Sequence, residues 1–151
     1  MLEQLALVSL LGWFALSSWV WPAMDAQRTP RAVMRALDHA VDARREVGLL
    51  QFKEQFLLFS HRPLTHFSAL APVAEQERNA WLWMREDPSR VLLVPDSLDL
   101  ACFDVSRLRL LGVAHRQGWG LLDAAAMTPG CEPPRQARRY VWRPLRTDVM
   151  D

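Results

Sequence analysis

A stretch of 21 uncharged residues, Gln4 to Met24, lies near the start of this chain of 151 residues. As a helix with a rise of about 1.5 Å per residue, it would extend roughly 30 Å, the hydrocarbon thickness of a bilayer. Trp19 and Trp21 lie at its C-terminal end, where aromatic side chains form the belt at a membrane surface. The stretch therefore predicts a transmembrane helix, which with its flank covers residues 1–25 and precedes one polar domain.

This stretch has two other interpretations. A secretory signal peptide would carry a basic n-region, a shorter apolar run and a small-residue cleavage site, whereas Glu3 precedes this run and Trp-Val-Trp-Pro ends it. A buried helix of a soluble core rarely reaches this length without a charge. Membrane anchoring is therefore the expectation, and Ser9, Ser17 and Ser18 indicate a helix that also packs against protein.

The remaining residues are enough for one compact α/β domain, which we place at residues 26–127, with a Pro- and Arg-rich tail at 128–151. The predicted elements are helices at 30–44, 53–60 and 74–86, strands at 47–52, 64–67, 90–95, 108–113 and 119–122, and an edge strand at 140–142. Because strands alternate with helices, the expected fold class is α/β, with an N-terminal transmembrane helix followed by a small three-layer-like domain with a mixed β-sheet.

The sequence carries no assembled catalytic motif. The net charge is +1 and no nucleic-acid-binding signature is present. His61 and His66 flank one predicted strand, but two histidines without a third ligand are weak evidence for a metal, so we expect no metal and no cofactor. Asp96 follows the most apolar strand and is either a general base or the N-cap of the next helix.

Lys53, Glu54 and Arg62 bracket the short helix that follows the first strand. Ligands of open α/β sheets bind at the carboxyl ends of the strands, so Lys53 and Arg62 are candidates to meet a phosphate, with Glu54 orienting them. The alternative is a solvated charge cluster at a helix start, where Glu54 suits the helix dipole. These three residues are the substrate-contact candidates.

Cys102 and Cys131 lie outside any CxxC motif or zinc-ligand spacing. They are either unpaired thiols of a cytosolic domain or one disulfide formed in an oxidising compartment. A bond requires Cα atoms within about 7 Å of each other, and the sequence leaves both alternatives open.

Residues 46–67, EVGLLQFKEQFLLFSHRPLTHF, resemble the segment after the last membrane helix of bacterial lipid-phosphate-sugar glycosyltransferases. These polytopic enzymes are related to protein O-mannosyltransferases and to the lipid A aminoarabinose transferase. Their outer C-terminal domain carries a strand, a short helix rich in Lys, Glu and Leu, an Arg-Pro pair and a further strand. The matching residues here are Leu49–Phe52, Lys53–Ser60, Arg62-Pro63 and Leu64–Phe67. The resemblance makes the uncharged stretch the final membrane helix.

That family carries many membrane helices and a catalytic acidic residue in its first outer loop, and this sequence contains neither. The resemblance therefore implies a non-catalytic, extracytoplasmic C-terminal domain from a truncated or split enzyme. It implies membrane lipid, the remaining transmembrane part and the lipid-phosphate sugar donor as partners, and no nucleic acid. The alternative is a single-pass, membrane-anchored interaction module of the cell envelope.

Two indications of topology oppose each other. Five arginines follow the uncharged stretch within about 20 residues, and the positive-inside rule would place this flank in the cytoplasm. They are Arg28, Arg31, Arg35, Arg44 and Arg45. The resemblance implies the periplasmic side of the inner membrane, where earlier helices of a polytopic protein set the orientation. We expect the periplasm, because it also gives Cys102 and Cys131 a role as a disulfide.

Overall fold

The computed structural model of the chain describes residues 2–20 and 28–144. Its first helix, α1, covers Leu2–Ala15, and a π-helical turn at Leu16–Val20 follows it. The apolar residues of α1 are distributed around its whole circumference. Six large apolar side chains of this helix are each at least 59 % exposed: Leu7, Val8, Leu10, Leu11, Trp13 and Phe14. The domain that follows leaves these side chains uncovered.

Among residues 2–20 and 28–144, no helix is both long and apolar enough to cross a membrane. The expected transmembrane helix over residues 4–24 is therefore not supported. Its α-helical part ends at Ala15, and the Ser17 hydroxyl donates a hydrogen bond to the Phe14 carbonyl at 3.1 Å. Such local bonds compete with the regular helical pattern. Residues 21–24 of the expected span lie outside the described residues.

One six-stranded mixed sheet forms the centre of the domain, in the order β4-β5-β3-β1-β2-β6. Strand β1 is parallel to β2 and β3, and the β2–β6, β3–β5 and β4–β5 pairs are antiparallel. The strands are β1 (Val47–Leu49), β2 (Leu64–His66), β3 (Val91–Pro95), β4 (Arg109–Ala114), β5 (Gln117–Leu122) and β6 (Tyr140–Trp142). The helices are α2 (Arg31–Ala40), α3 (Gln55–Leu58) and α4 (Val73–Glu86). The mixed α/β class predicted from the sequence is confirmed.

Each face of the sheet carries its own hydrophobic cluster. Val91 and Leu93 of β3 join the cluster that contains residues of α2 and α3, whereas Leu92 and Val94 join the cluster that contains residues of α4. Successive side chains of a strand point to opposite faces, so a strand that is covered on both sides is apolar at every position. This explains the uninterrupted apolar sequence of β3 and gives the domain three layers.

Helix α2 ends four residues before the predicted end of the helix at residues 30–44. Val41 adopts an extended conformation, and the carbonyls of Val41 and Asp42 accept hydrogen bonds from Arg62 Nη2 at 3.0 and 3.1 Å. The Asp42 carboxylate accepts a bond from the Arg44 N–H at 2.8 Å, which closes a turn. A distant side chain therefore binds the two carbonyls that directly follow the helix, and the local pattern contains no signal for it.

The segment after residue 127 packs on the domain. Trp81 Nε1 donates to the Thr128 carbonyl at 3.2 Å, and β6 adds the edge strand that the sequence predicts. Cys102 and Cys131 lie at disulfide distance, with sulfur atoms 1.94 Å apart and Cα atoms 5.1 Å apart. The Cα–Cα distance therefore meets the requirement for a disulfide between Cys102 and Cys131, which the sequence left open.

Candidate functional site

The carboxyl edge of the sheet consists of the residues that follow the C-terminal ends of β1, β2 and β3, together with the β4–β5 turn. The turn, His115-Arg116, reaches this edge because β5 runs antiparallel to β3. The Asp96 N–H donates to the Gly118 carbonyl at 2.9 Å and holds the turn beside the end of β3. In open α/β sheets, ligand sites commonly form at this edge.

Backbone strain concentrates at this edge. Within the described residues, the four non-glycine residues with positive φ are Gln51 (48°), Ser68 (69°), His115 (53°) and Arg116 (63°). Gln51 follows β1, Ser68 follows β2, and the other two form the β4–β5 turn. The left-handed conformation costs an L-residue roughly 1–2 kcal/mol, so the surrounding structure must hold each of them in place.

Gln76 holds two of the loops at the carboxyl edge. Its side chain is fully buried in the second turn of α4. Its Oε1 accepts a hydrogen bond from the Gln51 N–H at 3.1 Å, and its Nε2 donates to the Ala71 carbonyl at 2.7 Å. One amide therefore fixes the loop after β1 and the loop after β2, because buried polar groups of this kind are costly to leave unpaired.

His115 lies between the apolar core and a cation. Its ring centroid is 6.0 Å from that of Phe56, and its buried Nε2 has no hydrogen-bond partner among the described residues. Burial lowers the pKa of His115 below 6.5, and the nearby Lys53 charge lowers it further. His115 is therefore a neutral ring at neutral pH, and Lys53 is placed beside the turn.

Two of the three substrate-contact candidates lie at the carboxyl edge, and the third does not. Lys53 and Glu54 are exposed, and their carbonyls accept the first hydrogen bonds of α3, from the N–H groups of Phe56 and Leu57. Arg62 precedes β2 and therefore lies at the opposite, amino edge, where it binds the end of α2. The structure does not bring Arg62 together with the other two.

The side chains that follow β3 are turned onto β5. A Cβ atom at Gly118 would stand 2.6 Å from the Asp96 Cγ, so a side chain at this position would displace the carboxylate from its present place. The Gln117 side-chain amide donates to the Ser97 hydroxyl. The Asp96 carboxylate is thus packed over the backbone of β5, and the Asp96 N–H donates to the Gly118 carbonyl. This arrangement differs from the helix N-cap that the sequence suggested for Asp96.

A second concave region lies between α4 and the segment at residues 128–138. One cavity of about 480 Å³ is lined by three arginines, two glutamates and two prolines. A neighbouring cavity of about 410 Å³ is lined by the cysteine pair and by Glu77. Burial raises the pKa of the Glu77 carboxyl above 4.5, although the backbone N–H groups of Cys102 and Ala101 act in the opposite direction. Of the arginines that line the first cavity, Arg138 forms an ion pair with Glu75 at 3.5 Å.

The carboxyl edge presents the exposed cations Lys53 and Arg116 together with the exposed carboxylates Glu54, Asp96 and Asp99. Its candidate base, Asp96, faces the backbone of β5, and no activated nucleophile adjoins it in the part of the chain that the structure describes. Across residues 2–20 and 28–144, no group of three or more His, Cys, Asp or Glu side chains could hold a metal ion.

Comparison of the chain with protein-family models, with curated proteins and with solved structures finds no match.

Sequence reasoning missed Gln76 and Arg116 as members of the carboxyl edge. The signal for Arg116 was present, because a two-residue connection between two strands predicts a tight turn with positive φ at both positions. No local signal marked Gln76, whose partners lie 25 residues away at Gln51 and five residues away at Ala71.

Proposed function

We propose that this chain is a membrane-anchored, non-catalytic α/β domain that acts as the extracytoplasmic C-terminal domain of an integral-membrane glycosyltransferase. That enzyme uses a sugar donor linked to lipid phosphate, and the domain covers the outer side of its membrane part. The proposal places the chain in the inner membrane, with the α/β domain in the periplasm.

The observation that carries the anchoring proposal is the exposure of α1. A helix that is apolar on all sides is normally buried, either in a large protein core or in a membrane. Here the domain leaves the described large apolar side chains of this segment exposed, including Trp13 at 72 % and Trp19 of the π-helical turn at 79 %. Lipid, together with other membrane helices, is the environment that would remove this surface from water.

Two further observations support the finer assignment. The residues that carry the resemblance, 46–67, fold as a strand, a short helix and a parallel strand, the order of elements found in that enzyme family. Cys102 and Cys131 lie at disulfide distance, and disulfides persist mainly in oxidising compartments such as the periplasm. Both observations favour an extracytoplasmic domain over a cytosolic one.

The test removes residues 28–144 from the protein in its source organism and measures sugar transfer from polyprenyl-phosphate-linked donors in isolated membranes. We expect transfer to fall, whereas the purified chain alone should transfer no sugar. Unchanged transfer by membranes that lack the domain would contradict the glycosyltransferase assignment. If the chain still resists carbonate extraction in that case, the interaction module of the cell envelope becomes the better assignment.

Lys53 and Glu54 remain the candidates for contact with the lipid-phosphate donor. The variants Lys53→Ala and Glu54→Ala should raise the KM for the donor while leaving the thermal stability of the domain unchanged, because both side chains are exposed. Arg44→Ala, at the amino edge, is the matched control. An unchanged KM in both variants would make these residues ordinary surface charges.

A further inference from the structure

The two cysteines differ in their access to solvent. Cys102 is 4 % exposed and belongs to the hydrophobic cluster on the α4 side of the sheet, whereas Cys131 is half-buried and packs against this cluster from outside. Gly130, the residue before Cys131, is exposed, and the space that a Cβ atom would occupy there is open. Of the two cysteines, Cys131 is therefore the one that an external thiol can reach.

Both cysteines line the cavity of about 410 Å³ between α4 and the segment at residues 128–138. Three ionisable side chains join them among the described residues of its wall. Arg78 and Glu132 are exposed and contribute one charge of each sign, whereas Glu77 is buried. The disulfide and a buried carboxyl group therefore border the same space.

Glu77 is a buried acid that takes part in no ion pair within residues 2–20 and 28–144. Burial raises the pKa of its carboxyl group above 4.5, and nearby Asp99 acts in the same direction. The backbone N–H groups of Cys102 and Ala101, through hydrogen bonds, and the charge of Arg78 act in the opposite direction. Because only the Cα and Cβ atoms separate the Cys102 nitrogen from its sulfur, a carboxylate that meets this N–H lies near the sulfur.

Thr128 fixes the second segment independently of the sulfur atoms. Its N–H donates to the Cys102 carbonyl at 3.0 Å, and its hydroxyl donates to the Ala101 carbonyl at 3.0 Å. Its own carbonyl accepts a hydrogen bond from Trp81 Nε1 at 3.2 Å. These bonds hold the chain shortly before Cys131 beside Cys102, so the two sulfur atoms stay within reach of each other when the bond between them opens.

We propose that Cys102, Cys131 and Glu77 form a site of thiol–disulfide exchange with an external dithiol protein. In the reductive direction, a thiolate of that protein attacks the Cys131 sulfur and forms a mixed disulfide. The bond between the two cysteines breaks, and Cys102 leaves as a thiolate that takes the proton of the Glu77 carboxyl group. A buried thiolate without this proton would be costly. The inference is independent of the proposed membrane anchoring.

The second thiol of the external protein completes the exchange. It loses its proton to water and attacks the sulfur of its own protein in the mixed disulfide. Cys131 then leaves as a thiolate and takes a proton from water, as does the Glu77 carboxylate. The external dithiol is oxidised to a disulfide by two electrons, and the cysteine pair is reduced by the same two electrons. With an external disulfide the steps run in reverse, and the Glu77 carboxylate accepts the proton of the Cys102 thiol.

The first test uses the full chain in a mild non-ionic detergent. Reduced thioredoxin, a dithiol protein, should reduce the cysteine pair of the folded chain. Glutathione disulfide then serves as the probe for the single variants Cys102→Ser and Cys131→Ser, and mass spectrometry measures the mixed disulfide. We expect Cys131 to react at least about tenfold faster than Cys102, because only Cys131 is accessible. Reduction that occurs only after unfolding in urea, or equal rates for the two cysteines, would contradict the exchange site.

The second test concerns the proton. In the reduced chain, Glu77→Gln should slow closure of the mixed disulfide by at least about tenfold at neutral pH, the lower range of general base catalysis. Glu77→Asp keeps a carboxylate and should recover part of the rate. Glu132→Gln, which removes an exposed carboxylate from the same cavity, is the matched control, with a change below about twofold. Closure that folded Glu77→Gln leaves unchanged, or equal slowing by both glutamine variants, would contradict the role of Glu77.

Discussion

The side chain of Arg62 is about nine-tenths buried, and most of the hydrogen bonds of its guanidinium group are to backbone rather than to a carboxylate. Nη2 donates to the carbonyls of Val41 and Asp42, Nε lies 3.4 Å from the carboxylate of Asp38, and Nη1 has no partner among the described residues. A cation at the C-terminal end of a helix also interacts favourably with the helix dipole. Arg62 therefore connects the end of α2 to the start of β2.

Replacement of this side chain should destabilise the domain. Because Arg62→Ala leaves the buried Val41 carbonyl and the partly buried Asp42 carbonyl without their charged donor, we expect the free energy of unfolding to fall by roughly 2–3 kcal/mol. Urea unfolding of the chain in a mild non-ionic detergent, followed by tryptophan fluorescence, measures the change. Arg44→Ala is the control, with an expected change within about 0.5 kcal/mol. Equal effects of the two variants would mean that Arg62 is not a structural residue.

His66 makes the stability of the domain dependent on pH. Its ring lies 5.2 Å from that of Phe52 and 5.3 Å from that of Tyr140, and its buried Nδ1 has no partner among the described residues. Burial lowers the pKa of His66 below 6.5, so the unfolded chain takes up a proton at a higher pH than the folded one. The stability is complete above about pH 6.5 and falls as the pH drops through the folded pKa.

We expect the variant His66→Phe to lose less stability than the natural chain between pH 7.5 and pH 5.5. His115, whose pKa is also lowered, should account for part of the remaining decline. Urea unfolding at several pH values measures both slopes, and His39→Gln on the exposed side of α2 is the control. A slope that His66→Phe leaves unchanged would assign the acid sensitivity to other groups.

At the scale of the elements, the sequence predicts the order of strands and helices well and their ends less well. Short apolar runs identify the strands of the sheet, and the run of β3 is uninterrupted because this strand is covered on both faces. The strand at 47–52 nevertheless ends at Leu49, since Gln51 is held at positive φ by Gln76. Ends that depend on a distant side chain leave no local signal.

Trp81 and Trp83 of α4 are a second case in which distant residues decide a feature that the local sequence does not predict. Two residues apart on a helix, they cannot face the same way, so the sequence predicts that one of them is exposed. Both are buried, because the segment at residue 128 covers Trp81 and the guanidinium of Arg85 lies 4.8 Å from its ring. The carboxyl edge was predictable only in part, because the bonds by which Gln76 holds its loops follow from tertiary packing.

Gly48 allows α4 to approach β1 closely. A Cβ atom at this position would stand 2.8 Å from Trp83 Cζ3 and 2.9 Å from Leu92 Cδ1. We expect Gly48→Ala to cost roughly 1–3 kcal/mol of stability through overpacking. Gly112→Ala on β4 is the matched control, since its nearest neighbour, Val33, lies at an ordinary 3.6 Å. Thermal unfolding of both variants makes the comparison, and an equal loss would contradict close packing at Gly48.

The cysteine pair closes a loop with a sequence separation of 29 residues. In the chain-entropy model, a closed loop of this length stabilises the folded state by roughly 3–4 kcal/mol. Protein made in an oxidising compartment should therefore lose about that much stability on reduction, as measured by urea unfolding with and without reductant. The double variant Cys102→Ala, Cys131→Ala should not respond to reductant. Two labelled thiols in the unfolded, unreduced protein would contradict the disulfide.

At the scale of the whole molecule, α1 and the α/β domain are two units of opposite character. The domain buries two hydrophobic clusters, one on each face of its sheet, whereas α1 presents apolar side chains in every direction. The proposed anchoring would place the helix in an apolar environment and leave the domain in water.

Carbonate extraction of membranes should leave the full chain in the pellet. The double variant Leu10→Arg, Trp13→Arg should move it to the supernatant, because each arginine costs about 2.5–3.5 kcal/mol at the centre of a membrane-inserted helix. The conservative pair Leu10→Val, Trp13→Phe controls for the loss of the native side chains. Release of the unaltered chain would show that α1 is covered by something other than lipid.

The sheet order also has a consequence for the growing chain on the ribosome. Strand β1 ends up between β2 and β3, and β2 receives its outer neighbour only from β6, which starts 120 residues after the end of the first helical segment. At roughly 5–20 residues per second, those residues take on the order of 6–24 seconds to synthesise. The apolar segment thus emerges long before the sheet can be completed, and it is available to the translocation machinery while its domain is still unfinished.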